Sequence, residues 1–397
     1  MRIGIDATCW ANERGYGRFT REIVSAMVPQ APGHEFVCIL DDRSDARFGL
    51  SAPNVRKVVV SQSVSPTQAA ASGSRRSVGD MLRLSNAARR ERVDVFFSPS
   101  VYSYFPLPPG MLTVVTIHDA IAERFPDLTL PTSWDRWFWR LKVAVAIRQA
   151  RIVLTVSDYA AREITRHLGV PAARLRVTLE GVAAAFRPAE DHALVARAAV
   201  EVGVPAGSRW LMYVGGFGPH KYVDALVRAH AQVAARLPGS PLILLLAGPP
   251  DDGFHSDSEG VRRAIAECGT ERLVRWVGYL PDDTLRLLHS GAVALALVSA
   301  SEGFGLPAVE AASCGTPVIA TTESPLPELL EGGGVFVKPG DVNEIARALE
   351  RLLTDEPARR ALGARALERT RALSWSKSAA VVLAALEEAA AHRRKVA

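Results

Sequence analysis

The sequence predicts an α/β protein built from two Rossmann-like, doubly wound parallel sheets. Short runs rich in Val, Ile and Leu recur in two series along the 397 residues. They alternate with stretches of helical apolar spacing, and the alternation is interrupted once, by a turn-rich segment near the middle. Strands that alternate with helices form parallel sheets covered on both faces. A chain of this length exceeds one ordinary core and suits two domains.

The first series of strand-like runs falls at 2–6, 36–40, 56–60, 94–97, 113–117 and 152–156, with helical patterns at Arg18–Met27, Val78–Arg92 and Trp134–Ala150. The second falls at 210–214, 242–246, 274–277, 293–298, 317–320 and 335–337, with helical patterns at Val223–Leu237 and Asp341–Leu353. Between the series lies Phe186-Arg-Pro188 to Gly207, which holds a turn signal, an amphipathic helix His192–Val202 and the punctuation Gly203-Val-Pro205-Ala-Gly207. The expected domains are therefore 1–186 and 187–375. The last helix, about Trp375–His392, has no strand after it, so the segment of about 376–397 is expected to pack back on the first domain. Ser61–Ser77 and Asp251–Gly260 read as loops, with surface connections and mobile lids as equal alternatives.

Composition narrows the setting. With 47 basic and 42 acidic residues, the net charge of +5 selects neither nucleic acid, anionic membrane nor phosphorylated substrate; no nucleic-acid partner is expected. No run of eighteen apolar residues suggests a membrane span, and the start, Met1 to Asp6, reads as a buried strand rather than a leader. Cys9, Cys38, Cys268 and Cys314 are scattered, without metal or disulfide spacing, as in a reducing cytoplasm. Arg dominates the bases and Lys is rare, so a Lys in a chemically suggestive place carries weight.

The most specific signal is Ser301-Glu-Gly-Phe-Gly-Leu-Pro-Ala-Val-Glu310, followed by Ala-Ala-Ser-Cys-Gly315-Thr-Pro317. A strand ends, glycines let a ligand approach bare backbone, and Pro307 opens a helix where its missing N–H costs nothing. Amides at a helix N-terminus, at the carboxyl end of a strand, make an anion site. Glu302 and Glu310 bracket it, and carboxylates suit hydroxyl-rich ligands because each can accept from vicinal hydroxyls. Upstream, Tyr213-Val-Gly215-Gly216-Phe-Gly218-Pro-His220-Lys221 is a glycine-rich strand-to-helix loop ending in one of the few lysines. Its charge suits a leaving diphosphate.

These motifs, with the Glu302 to Pro317 block the most specific, resemble the family-4 retaining glycosyltransferases of GT-B fold, also known as glycosyl transferases of group 1. The likeness runs from the first strand to Ser374-Trp375. It implies that Glu310 binds the nucleotide ribose and Glu302 the donor sugar. Backbone at Gly303, Phe304, Gly305 and Leu306 would line sugar and phosphate, with Lys221 on the diphosphate beside Gly215. Where many relatives carry Arg, this chain has Gly216, so His220 or another Arg is expected to supply the second charge. Base contacts are expected near Gly278 and Tyr279.

In the first domain, Gly15-Tyr-Gly17-Arg18 resembles the family's N-terminal glycine loop, which faces donor phosphates and acceptor. A dinucleotide fingerprint is disfavoured there: Thr20 stands where its third glycine would be, and Asp6 to Gly15 is too long for its turn. His118-Asp119 follows a strand, and the resemblance places His118 at the donor sugar, making His118, Lys221 and Glu302 the expected catalytic set. Ser157 is expected to cap the helix after it. Trp134-Asp-Arg-Trp137-Phe-Trp139-Arg-Leu-Lys142 reads first as a helix with its aromatic face on the sheet and its Arg face solvated; the alternative is peripheral contact with anionic lipid.

The resemblance implies donor in the second domain, acceptor in the first and a central cleft that closes on both. The donor would be GDP-mannose or a UDP-sugar, and the acceptor a saccharide, a lipid-linked glycan or a secondary metabolite. One diphosphate oxygen would take the acceptor proton, so no cofactor and no essential metal is expected. An epimerase, a phosphorylase, a non-catalytic sugar-nucleotide subunit and a two-domain binding protein are the competing readings.

Overall fold

The computed structural model describes residues 1–64, 77–236, 241–250 and 255–396, with the side chains of the last helix through Ala391. The chain divides into two compact units, Met1–Gly181 with Ser374–Ala397, and Val182–Leu373. The division falls at Gly181/Val182 rather than 186/187, and the returning segment starts at Ser374. Gly181 marks the place because the returning chain runs against it: a Cβ there would lie 2.2 Å from the Trp375 amide nitrogen.

The first unit holds β1 (Arg2–Asp6), β2 (Glu35–Leu40), β3 (Val55–Val59), β4 (Val95–Ser98), β5 (Thr113–Thr116), β6 (Ala150–Thr155) and β7 (Leu175–Val177). They form one parallel sheet in the order β3-β2-β1-β4-β5-β6-β7. The sequence reading missed β7, which is only three residues long and lies at the sheet edge. The second unit holds β8 (Arg209–Val214), β9 (Leu242–Ala247), β10 (Val274–Gly278), β11 (Ala294–Leu297), β12 (Val318–Thr321) and β13 (Gly334–Val337). Their order is β10-β9-β8-β11-β12-β13, again all parallel. Burial on both faces accounts for unbroken apolar strands such as β9, Leu-Ile-Leu-Leu-Leu-Ala, every residue of which is buried.

The last helix, Trp375–Val396, packs on the helix Gly15–Gln30 and against β4 to β7. Its buried positions Ala379, Val382, Leu386 and Ala389 follow helical spacing. Of the two expected loops, 65–76 and 251–254 lie outside the described residues. The second is cut short by the helix Ser258–Glu267, capped where Asp257 accepts from the Gly260 amide.

Two expectations are corrected. Gly15 and Gly17 belong to the first turn of a helix that starts at Gly15, not to a loop before one at Arg18. Gly17 allows this, since a Cβ there would sit 2.2 Å from the Asn12 carbonyl oxygen. In the helix Ser133–Gln149, opened by a Thr132/Asp135 capping box, the aromatic face does not lie on the sheet. Trp134 and Trp137 are 51% exposed, Phe138 43% and Leu141 47%. The small and branched residues Val143 and Ala146 take the sheet side, which turns the 134/137/138/141 stripe outward.

Candidate functional site

In the second unit β8 and β11 are neighbours, yet β8 leads on to β9 on one side and β11 to β12 on the other. The two connections diverge, and the carboxyl ends of such a pair are where doubly wound sheets hold ligands. Both motif loops leave from here.

After β8 the chain turns at Gly215, φ +153°, whose amide donates to Ala247 at 3.0 Å. Gly248 fits only as glycine, because a Cβ would come within 2.1 Å of the Gly215 carbonyl oxygen. The Tyr213 hydroxyl donates to the Gly216 carbonyl. A short 3-10 turn, Pro219–Lys221, follows. The His220 ring lies over Gly218, where a Cβ would be 2.7 Å from it. The His220 carbonyl accepts from the Ala300 amide at 2.8 Å, which ties this loop to the one after β11.

That second loop places Glu302 against Lys221, with Nζ to Oε1 at 2.6 Å. The same oxygen accepts from the Ser299 hydroxyl at 2.6 Å. The Glu302 amide donates to the Glu323 carbonyl at 3.0 Å, which fixes the loop to the end of β12. Gly305 has φ +86° and faces Leu326, whose side chain a Cβ would meet at 2.8 Å, so both conformation and space require glycine. The helix Leu306–Ser313 then begins, with Pro307 in its first turn. Phe304, just before it, and Leu306, its first residue, are buried. Glu310 lies on this helix, 4% exposed. The Cys314 thiol beyond it is pushed up to about 12, by burial first and by the Glu310 charge second. Gly278, φ +67°, ends β10 and accepts from the Gly248 amide at 2.8 Å; the Tyr279 that follows is exposed.

The loops therefore assemble Gly215, Gly216, His220, Lys221 and Glu302 to Leu306, with Glu310 on the helix that follows and Gly278 joined through Gly248. Ser299 and Gly248 were missed. A signal existed for Gly248, which follows β9 as Gly215 follows β8. The arrangement offers a cation, helix N-terminal amides and two buried carboxylates, the groups needed for an anion carrying hydroxyls.

The remaining expected residues lie in the first unit. There β1 and β4 form the divergent pair. Asp6, at the end of β1, accepts from the Thr8 and Ser103 hydroxyls at 2.7 and 2.8 Å. Gly15 has open space where a Cβ would stand. His118, just beyond β5, is 8% exposed, with Nε2 3.0 Å from the Pro99 carbonyl oxygen. Because a carbonyl only accepts, Nε2 carries the proton, and Nδ1 faces Glu180 at 3.6 Å. Glu180 was missed together with β7, the strand that precedes it. Ser157 caps its helix as expected, accepting from the Ala160 amide at 3.0 Å.

A profile of the family described as Glycosyl transferases group 1 matches residues 198–369, and one described as Glycosyltransferase Family 4 matches residues 14–186. The two matches follow the two structural units closely. The second unit is similar to the group 1 glycosyltransferases and the first to Glycosyltransferase Family 4. Among the chain's relatives, O-antigen chain mannosyltransferase B of Escherichia coli is 29% identical over 267 residues, 66% of either chain. Alignments with the curated relatives take in about two thirds of those proteins at most. Sucrose-phosphate synthase from Thermosynechococcus elongatus superposes with a TM-score of 0.74 at 20% identity, over 100% of this chain and 98% of the other. Anabaena HepE, crystallised with UDP and glucose, also gives 0.74, at 18% identity over 98% and 99%. These likenesses show the fold, which is GT-B.

Proposed function

We propose that this chain is a glycosyltransferase that moves a hexose from a nucleoside-diphosphate sugar to a glycan, lipid-linked or small-molecule acceptor, with retention of anomeric configuration. The observation that carries the proposal is the Lys221–Glu302 pair, 2.6 Å apart, at the divergent strand ends and just before the helix that bears Glu310. The donor diphosphate takes Lys221 from Glu302, which frees the carboxylate to accept from sugar hydroxyls. Glu310 accepts from the ribose, and the base lies toward Gly278 and Tyr279. The C1–O bond to the diphosphate breaks, and its charge is met by Lys221 and the helix N-terminus, an attraction that grows as charge separates. One departing oxygen takes the acceptor proton as the acceptor oxygen bonds C1 on the same face. His220 supplies further positive charge. Gly15, Gly17 and His118, in the first unit, serve the phosphates and the donor sugar, and the acceptor is held by that unit.

The donor is GDP-mannose or a UDP-sugar, a choice supported by the UDP and glucose in HepE and by the mannosyltransferase name of the Escherichia coli relative. The setting is cytoplasmic, and the exposed aromatic stripe supports contact of the 134–142 region with a membrane surface. In a thermal-shift comparison of nucleotides, UDP or GDP should raise Tm and Glu310→Ala should erase the rise; an unchanged rise removes Glu310 from the ribose role. Transfer should persist in EDTA, and loss that added magnesium or manganese restores would refute a metal-free mechanism.

A further inference from the structure

We propose that a pocket beside the helix Ser133–Gln149 binds a bilayer-borne lipid phosphate, with the hydrocarbon chain inside and the phosphate at Arg140 and Arg136. The inference deepens the reading that the first unit holds the acceptor, and rests on it for that role.

The pocket has a volume of about 380 Å³, within the range of small-ligand sites. Ala122, Leu130, Val143, Ile147 and Leu168 make its walls apolar, while Arg136, Arg140 and His167 also line it. Arg136 pairs with the exposed Asp127 at 2.8 Å, and His167 lies 3.4 Å from Glu163; Arg140 is exposed. The one acid in the lining, Glu123, accepts from the Trp139 indole N–H at 2.6 Å. Burial pushes its carboxyl up to about 7, so near neutrality it opposes an anion with only part of a charge.

The next face of the same helix is the outward stripe. Trp134 and Trp137 stack with centroids 5.3 Å apart, and Phe138 meets both edge-on. Exposures of 43 to 51% over the four residues leave on the order of 400 Å² uncovered, taking roughly 150–250 Å² for a whole large side chain. A stable dimer needs about 800 Å² per partner, so a second copy of the chain is a poor fit. An interfacial aromatic helix needs no more than such a stripe. From Arg136 to Gln149 the helix carries Arg136, Arg140, Lys142 and Arg148 and no acid, the charge that draws a surface toward anionic lipid. With the stripe seated in the headgroup layer, Arg140 and Ala144, on the turn between the two faces, stand where lipid enters.

Calorimetric titration of the full chain with decyl phosphate tests the pocket. Wild type should bind it at least a hundredfold more tightly than inorganic phosphate. Ala144→Trp, which fills the entrance, and Arg140→Glu should each weaken it tenfold or more; both sites are exposed, and circular dichroism checks the fold. Trp134→Ser/Trp137→Ser should keep decyl phosphate binding within twofold, yet reduce sedimentation with phosphatidylglycerol vesicles at least tenfold. Equal binding by Ala144→Trp, or inorganic phosphate binding as tightly as decyl phosphate, overturns the chain site. Unchanged sedimentation overturns the bilayer source. A protein that binds UDP or GDP but no decyl phosphate refutes this site and leaves the donor reading standing; the reverse pattern refutes the donor reading alone.

Discussion

Replacing Lys221 by Met strips the cation from a carboxylate that the fold holds away from water. The Lys221 and Glu302 side chains are 19% and 11% exposed, and their charged atoms lie 2.6 Å apart. Breaking a buried pair from one side costs about 3–5 kcal/mol. The Ser299 hydroxyl still donates to Glu302, and some solvent contact remains, so the expected loss is about 2–3 kcal/mol. For a unit of this size that lowers Tm by about 4–12 °C. Glu302→Gln should cost less, about 1 kcal/mol, because the flexible Lys stem can carry its ammonium to water. The double variant should cost about 1–2 kcal/mol less than the sum of the singles, since it leaves no unpaired charge. Scanning calorimetry with and without UDP or GDP reads all of this, and the nucleotide-induced rise should vanish in Lys221→Met. Additivity of the singles to within about 0.5 kcal/mol would refute a coupled pair, and an intact nucleotide response would refute the diphosphate role.

Gly305→Ala should destabilise the second unit by about 1–3 kcal/mol, because φ is +86° and the new Cβ meets Leu326 at 2.8 Å. It should also lower UDP or GDP affinity by moving the helix start, and adding Leu326→Ala should recover only part of the stability; wild-type Tm in Gly305→Ala would contradict both constraints. His289 is fully buried, burial lowers its pKa from 6.5 to about 3, and neither ring nitrogen has a hydrogen-bond partner among the described residues. Below about 6.5 the unfolded chain protonates this side chain while the folded one does not, so stability present above 6.5 drains away as pH falls toward 3. His289→Leu should flatten that slope and raise Tm more at pH 5 than at pH 8; an equal change at both would show the ring titrates normally.

The strands were readable because a strand buried on both faces must be apolar throughout, as in Leu242–Ala247. Leu175–Val177 escaped because three residues establish no pattern, and Glu180 escaped with it. The two motif loops could be placed at strand ends from the glycines and Pro307 alone. Their meeting could not, since Lys221 and Glu302 are 81 residues apart and touch only because β8 and β11 are adjacent in the sheet. The aromatic helix misled for a different reason. Aromatic residues are assumed to seek the interior, but Val143 and Ala146 had already claimed the side facing the sheet. Glycines at 15 and 17 weigh against a helix on propensity, yet the helix begins at Gly15, and Gly17 packs closely on Asn12.

Gly181 touching the Trp375 backbone makes the second unit an insert whose entrance and exit share a single doorway. The remainder, Met1–Gly181 and Ser374–Ala397, is a continuous body that owns its sheet and its closing helix. A direct peptide link from Gly181 to Ser374 would bridge no gap, so either module can be exchanged during evolution without redrawing the other's topology.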